Sequence, residues 1–183
     1  KVYLTNLNES WIVDRLREEW YQHNTSISVD SIKQAEIIWI IAPWLWKKIK
    51  KKHLRDKKVV CSIYHLEDKD FEHKQIRDFK KRDSFVDVYH VISLKTKKEL
   101  EKLTDKEIIY IPFWSDQLSW YEIKDKDSLR KKYDLPLDAY ILGSFQRDTE
   151  KKGNMKPKLS KGPDQFLEIV KKTSEEKNVR VIL

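Results

Sequence analysis

Four residues between positions 143 and 162 have the types and the order of a phosphate-binding loop. The apolar run Tyr140 to Leu142 ends at Gly143, as a buried strand ends where the backbone has to turn freely. Arg147 follows, and Lys161 and Gly162 then open an amphipathic segment. A helix start with nearby cations attracts phosphate, because its first N–H groups and its dipole both favour negative charge. The spacing therefore predicts a site for a nucleotide diphosphate; the alternative is a pair of solvated cations.

The composition restricts the kind of protein without choosing its ligand. The 183 residues have a net charge of +8, which suggests an anionic partner: a phosphorylated substrate, an anionic lipid or a nucleic acid. The 39% hydrophobic content and seven Trp predict a folded protein. No apolar run approaches the roughly 20 residues that cross a bilayer. Cys61 lies within VVCSIY and is expected in the core, so nothing calls for an oxidising compartment and a cytoplasmic location is expected.

Apolar runs with strand character alternate with helical patterns. The predicted strands are Val2–Thr5, Ile37–Ala42, Val59–Tyr64, Val86–Ile92, Ile108–Pro112, Ala139–Ser144 and Val179–Leu183. The predicted helices are one after Ser10 with Ile12, Leu16 and Trp20 at period four, and Trp44–His53, Phe71–Arg82 and Thr96–Leu103, the last capped from Ser93. This alternation predicts βαβ units and a doubly wound, Rossmann-like parallel sheet that is covered on both faces.

A change of pattern after Pro112 predicts a domain boundary. An irregular stretch and a short helix stopped by Pro136 precede a new apolar strand at Ala139. We therefore expect one α/β domain over residues 1–115, a linker with a short helix over 116–137, and the start of a second Rossmann-like domain over 138–183. Because NVRVIL (178–183) stops within a predicted strand, this second domain is expected to be truncated after its first βαβ unit.

Four stretches then occur in a recognisable order. They are IYHLED (63–68), VDVYHVISLKTKKELEKL (86–103), IIYIPFWSDQLSWY (108–121) with SLRKKYDLPLDAYILGSF (128–145), and SFQRD followed by PKLSKGPDQFLEIVKK. In this order they resemble retaining glycosyltransferases of the GT-B fold, and glycosyltransferase family 4 in particular. The resemblance covers most of residues 37–183. It implies transfer of a sugar from a nucleotide-sugar donor to a carbohydrate or lipid-linked acceptor, with retention of configuration and without a cofactor.

The resemblance also implies roles for individual residues. His65 matches a family histidine that contacts the donor sugar and is the catalytic candidate; its alternative is an ordinary loop histidine. Arg147 and Lys161, between Gly143 and Gly162, match the residues that hold the donor diphosphate. Fixed cations there stabilise the charge that develops on the leaving group.

The sequence departs from the family pattern in the length of one loop, and the resemblance also has a consequence for activity. The loop DTEKKGNMKPKLS between the two phosphate-binding cations is longer than the family pattern, so Lys152, Lys156 or Lys158 could share their role. The nucleoside-binding half of the second domain would lie beyond Leu183, so the chain as written is expected to be inactive or nearly so.

Metal binding is the alternative chemistry for the segment around His65. His65, Glu67, Asp68, Asp70 and His73 include carboxylates that suit a hard divalent cation. Enzymes of the resembled type hold phosphate with cations and a helix end instead. We therefore expect no metal.

A basic and aromatic stretch is the candidate for a membrane or acceptor face. Its residues are Trp44, Trp46, Lys47, Lys48, Lys50 and Lys51. A helix here could lie on an anionic membrane, with lysines among the headgroups and Trp at the interface. The alternative is a surface helix whose apolar side packs on the sheet. A non-catalytic module that binds a membrane surface or nucleic acid stays the second interpretation of the whole chain, although no nucleic-acid-binding signature is present.

Overall fold

A computed structural model describes residues 1–8, 12–66, 73–117, 120–145 and 156–182. The chain divides into two compact units, Lys1–Trp120 and Tyr121–Leu183. The predicted linker, 116–137, is thus shared between the units, and its short helix belongs to the second.

The first unit is built on a five-stranded parallel sheet. Its strands are β1 (Val2–Leu4), β2 (Ile37–Ile40), β3 (Lys58–Ile63), β4 (Val88–Val91) and β5 (Glu107–Tyr110). Its helices are α1 (Ile12–His23), α2 (Lys51–Asp56), α3 (His73–Asp83) and α4 (Leu94–Leu100), with a 3₁₀ helix at Pro43–Lys48. The predicted strands are confirmed to within two residues at each end, because short apolar runs bounded by turn residues are a strong local signal.

Both faces of this sheet are covered. All four residues of β4 are buried, as expected for an interior strand of a parallel sheet. Trp39 of β2 packs edge-on against Trp20 of α1, with ring centroids 5.0 Å apart. On the other face Tyr89 of β4 stacks on Phe79 of α3, with centroids 5.9 Å apart. The apolar side chains of helices on either side therefore form a continuous core around the sheet.

The strand order is β1-β2-β3-β4-β5, so neighbours in the sheet are also neighbours in the chain. A doubly wound sheet places its ligand crevice where the strand order reverses. No such reversal occurs among these five strands. The α/β class, the parallel pairing and the covered faces are confirmed, whereas the reversed strand order of a doubly wound sheet is not found among these five strands.

The prediction of one helix over Trp44–His53 is wrong in one respect, because the segment is divided into the 3₁₀ helix and α2. Ile49 has φ −95° and ψ 134°, an extended conformation between the 3₁₀ helix and α2. The break allows Leu45 and Trp46 before it, and Leu54 after it, to be buried together in the core. Tertiary packing here overrides a helical local pattern.

The second unit contains a short helix and one βαβ unit. Its elements are α5 (Lys126–Lys132), β6 (Tyr140–Gly143), α6 (Pro163–Ser174) and β7 (Val179–Ile182). β6 and β7 pair in parallel, with Tyr140 opposite Val179. Asp125 caps α5 by accepting a hydrogen bond from the Ser128 N–H at 3.0 Å.

Candidate functional site

The predicted phosphate loop lies at the start of α6 in the second unit. β6 ends at Gly143, as predicted, and α6 begins with Pro163 as its first residue. Gly162 precedes it with φ +70° and ψ 35°, a left-handed conformation that glycine adopts readily. Arg147, Lys152 and most of the connecting loop lie outside the described residues.

The start of α6 has the chemistry of a weak anion site. Gly162 provides no side-chain cap, so the first N–H groups of the helix are left to water or a ligand. Lys161 is exposed and ends a 3₁₀ turn, Leu159–Lys161, directly before Gly162. Asp164 in the first turn of α6 opposes an anion. Binding of a phosphate here therefore depends on cations that outweigh this carboxylate.

His65 lies two residues beyond β3, at the carboxyl edge of the first sheet, and is exposed. The backbone before it is held in place: the Tyr64 carbonyl accepts a hydrogen bond from Thr96 Oγ1 at 3.2 Å. The Tyr64 hydroxyl donates to the carbonyl of Ile41. His65 is therefore presented to solvent from a fixed strand end, which is compatible with either of its two interpretations.

The predicted cluster around His65 is only partly within the described residues. Glu67, Asp68 and Asp70 lie outside them. Across the part of the chain that the structure describes, no group of three or more His, Cys, Asp or Glu could hold a metal ion.

The basic and aromatic stretch does not present one continuous face. Trp46 is buried and packs against Phe85, with ring centroids 6.1 Å apart. Trp44 is 44% exposed. Lys47 donates to Asp78 at 2.8 Å. Lys48, Lys50 and Lys51 are exposed. Of the two tryptophans, Trp44 alone is accessible to a surface partner.

A buried polar relay in the first sheet was not predicted from the sequence. Trp39 Nε1 donates to Ser62 Oγ at 2.9 Å, and Ser62 Oγ lies 2.9 Å from His90 Nδ1. His90 Nε2 lies 2.8 Å from the carbonyl oxygen of Ile111, which can only accept. Nε2 therefore carries the proton, and neutral Nδ1 accepts from Ser62.

This relay is structural despite its resemblance to a nucleophile–base pair. Ser62 is 1% exposed and His90 is 5% exposed, so neither is open to a substrate. Burial lowers the pKa of His90, although its bond to the Ile111 carbonyl acts in the opposite sense. The relay fixes the segment after β5 to the middle of the sheet. Its members lie on neighbouring strands but are far apart in the sequence, so no local sequence signal could reveal it.

The architecture defines an α/β protein with a Rossmann-like parallel sheet in its first unit. Within the described residues, none of the helices is long and apolar enough to cross a membrane. Comparison with protein families, with characterised proteins and with solved structures finds no match to this chain.

Proposed function

We propose that this chain takes part in sugar transfer from a nucleotide-sugar, with retention of configuration, as a protein of the GT-B type. The observation that carries the proposal is the parallel β6–α6–β7 unit, with Gly143 at the end of its first strand and Lys161–Gly162 at the start of its helix. This is the arrangement in which α/β proteins bind the phosphates of nucleotides. The order of sequence stretches that resembles glycosyltransferase family 4 supports the same function.

The chemistry of the reaction explains why cations are needed at this position. In glycosyl transfer the bond between the sugar carbon and the diphosphate oxygen breaks, and a nucleoside diphosphate leaves with additional negative charge. An acceptor hydroxyl oxygen forms the new bond to the same sugar carbon and gives up its proton. Lys161 and Arg147 stabilise that charge most strongly as it develops in the transition state. They therefore lower the activation barrier and do not only strengthen binding of the donor. Arg147 can bind phosphate with two parallel hydrogen bonds, whereas Lys161 acts as a point charge.

The other roles rest on the resemblance. His65 is assigned to the donor sugar, and its exposed position after β3 leaves it accessible for this. The acceptor is a carbohydrate or a lipid-linked carbohydrate bound mainly by the first unit. No metal is assigned, since cations and the start of α6 provide the positive potential.

Binding of diphosphates tests the proposal directly. Titration of the chain with UDP, GDP, ADP and inorganic pyrophosphate by calorimetry should detect binding of at least one of them. Lys161→Ala should weaken that binding by about tenfold, since tenfold corresponds to about 1.4 kcal/mol, the scale of one charge-assisted contact.

Lys171→Ala is the matched control. Lys171 is exposed in the last turn of α6, so its removal changes the net charge equally but leaves the helix start intact. Absence of binding by all four compounds would count against the proposal. So would an equal loss of affinity in the Lys161 and Lys171 variants, because it would indicate non-specific charge attraction.

A further inference from the structure

A cavity of about 360 Å³ lies at the amino edge of the first sheet. Three of its lining residues directly precede neighbouring strands: Lys57 before β3, Asp87 before β4 and Lys106 before β5. Arg55 of α2 and Phe85, two residues after α3, also line it. The volume lies within the range of small-molecule pockets, so the chemistry of the lining decides which ligand suits it.

The lining of this cavity has an excess of positive charge. Three cations contribute to it: Arg55, Lys57 and Lys106. Asp87 is the one carboxylate among the described lining residues, and its Oδ2 accepts a hydrogen bond from the Val59 N–H at 2.7 Å. Like charges around one cavity repel one another, and a bound anion would offset this repulsion.

Two of these cations have no carboxylate partner. Within the described residues, neither Arg55 nor Lys106 forms an ion pair. The Arg55 guanidinium lies over the Phe85 ring, with Cζ 5.8 Å from the ring centroid, and its side chain donates no hydrogen bond to a described residue. Lys57 Nζ donates to two main-chain carbonyls, which leaves one of its three N–H donors for a ligand. Each cation therefore has donors that a bound anion could use.

The carboxyl end of α3 does not account for this positive charge. Lysine and arginine often lie near the end of a helix because they pair with its last carbonyl groups. Each of the last four carbonyl groups of α3 already accepts a hydrogen bond, from the N–H groups of Ser84, Phe85 and Val86 and from the Ser84 hydroxyl. The cations of the lining are therefore not needed as caps for α3.

We propose that this cavity binds a small phosphomonoester as its dianion. The phosphate oxygens accept hydrogen bonds from Arg55, Lys57 and Lys106, and the organic group lies against the Phe85 ring. Three cations and one carboxylate leave two positive charges in the lining, which match the two negative charges of the ligand. The proposal is independent of the proposed sugar transfer, because His65 lies at the opposite edge of the sheet and α6 belongs to the second unit.

Three ligands with the same ring test the dependence on charge. Phenyl phosphate, phenyl sulfate and phenol are titrated into the chain at pH 7.5, by calorimetry and by NMR. At this pH phenyl phosphate is mainly a dianion, because the second pKa of a phosphate ester is about 6, whereas phenyl sulfate is a monoanion and phenol is neutral. Phenyl phosphate should bind about tenfold more tightly than phenyl sulfate, on the scale of one charge-assisted contact, and phenol more weakly still. Equal affinity for the phosphate and the sulfate, or no binding of phenyl phosphate at about 10 mM, would overturn the proposal.

Amide chemical shifts then show where phenyl phosphate binds. Saturable shifts are expected at residues 84–87 and at Lys106, which line the cavity. Shifts confined to residues 161–165, at the start of α6, would place the ligand at the other proposed phosphate site and overturn the proposal.

Variants separate the cavity from the general positive charge of the chain. Arg55→Ala and Lys106→Ala should each weaken phenyl phosphate binding by about tenfold. Lys52→Ala and Lys98→Ala are the matched controls, because both lysines are exposed on helices of the same unit, α2 and α4, and neither lines the cavity. An equal loss in the control variants would show non-specific charge attraction and overturn the proposal. Circular dichroism checks that each variant is folded, and the ligand series on the unmodified chain remains decisive if one is not.

Discussion

Ser62 and His90 lie side by side within the first sheet, with Ser62 Oγ 2.9 Å from His90 Nδ1. Their strands place them opposite each other in the β3–β4 register. Because Nε2 of His90 bonds to the Ile111 carbonyl, the proton of the neutral imidazole lies on Nε2, and Nδ1 accepts from the Ser62 hydroxyl. Protonation would turn Nδ1 into a second donor, so that the Ser62 oxygen would have to accept from Nδ1 as well as from Trp39 Nε1, and the Ser62 hydroxyl would lose Nδ1 as its acceptor.

The stability of the first unit should therefore fall in acid. Burial lowers the pKa of His90 below its ordinary value of 6.5, so the unfolded chain binds this proton more readily than the folded chain. The contribution of neutral His90 to the free energy of unfolding is therefore present above about pH 6.5 and is lost as the pH falls below this value. Urea unfolding at pH 7.5 and 5.5 measures the loss. Trp fluorescence reports on this unit, since all seven tryptophans lie within residues 1–120.

His90→Gln should reduce the difference in unfolding free energy between the two pH values, while His23→Gln should leave it nearly unchanged. His23 is exposed at the end of α1 and serves as the matched control. A difference of the same size in both variants would contradict the assignment to His90.

Removal of the serine hydroxyl should have its own effect. Ser62→Ala leaves the Nε1 donor of Trp39 and the Nδ1 acceptor of His90 without their shared partner. Buried groups without partners destabilise by about 1–3 kcal/mol. The same urea experiment at pH 7.5 tests this expectation. A change below about 0.5 kcal/mol, within the range of neutral surface substitutions, would contradict it.

The sequence predicted elements better than it predicted contacts. The strand β4 and the Ser93 cap of α4 follow from local patterns, and Ser93 Oγ does accept from the Thr96 N–H at 3.1 Å. By contrast, the break at Ile49 arises because side chains on both sides of it pack into one core. The Ser62–His90 pair depends on strand register, which a local pattern does not encode. At the start of α6, the glycine and the lysine follow from the sequence pattern, whereas Asp164 in the first turn opposes the anion that this pattern predicts.

Cys61 should be unreactive while the first unit is folded. The side chain is fully buried, and burial raises the pKa of the thiol to about 12, so almost no thiolate is present near neutral pH. Iodoacetamide at pH 8.5 should therefore leave the native protein unmodified and alkylate it fully in urea, as followed by mass spectrometry. Cys61→Ser, which has no thiol, gives the background. Native labelling as fast as that of a free thiol would show that β3 is open to reagent.

Arg130 should stabilise the connection between α5 and β6. Its Nη1 lies within 2.7–2.9 Å of the carbonyl oxygens of Pro136, Leu137 and Ala139. Arg130→Ala should lower the free energy of local opening of this segment by about 1–2 kcal/mol, the scale of hydrogen bonds from a charged donor. Hydrogen exchange of residues 136–143 measures the change. Lys131→Ala removes a neighbouring exposed cation and should leave the exchange unchanged; equal effects would assign the change to charge alone.

Gly162 should be the more demanding of the two glycines at the predicted phosphate site. Its φ of +70° strains any residue with a Cβ, so Gly162→Ala should destabilise the start of α6 by about 1 kcal/mol. Gly162→Asn should cost less, because Asn tolerates the left-handed conformation. At Gly143 an added Cβ would meet the ring of Phe145 at 2.8 Å, but this ring is 88% exposed and can move aside. Hydrogen exchange of the first turns of α6 should therefore accelerate in Gly162→Ala and not in Gly143→Ala.

Pyrophosphate affinity should fall in Gly162→Ala as well, because the first N–H groups of α6 are displaced. A variant with faster exchange but unchanged affinity would separate the two properties and remove the helix start from the binding site.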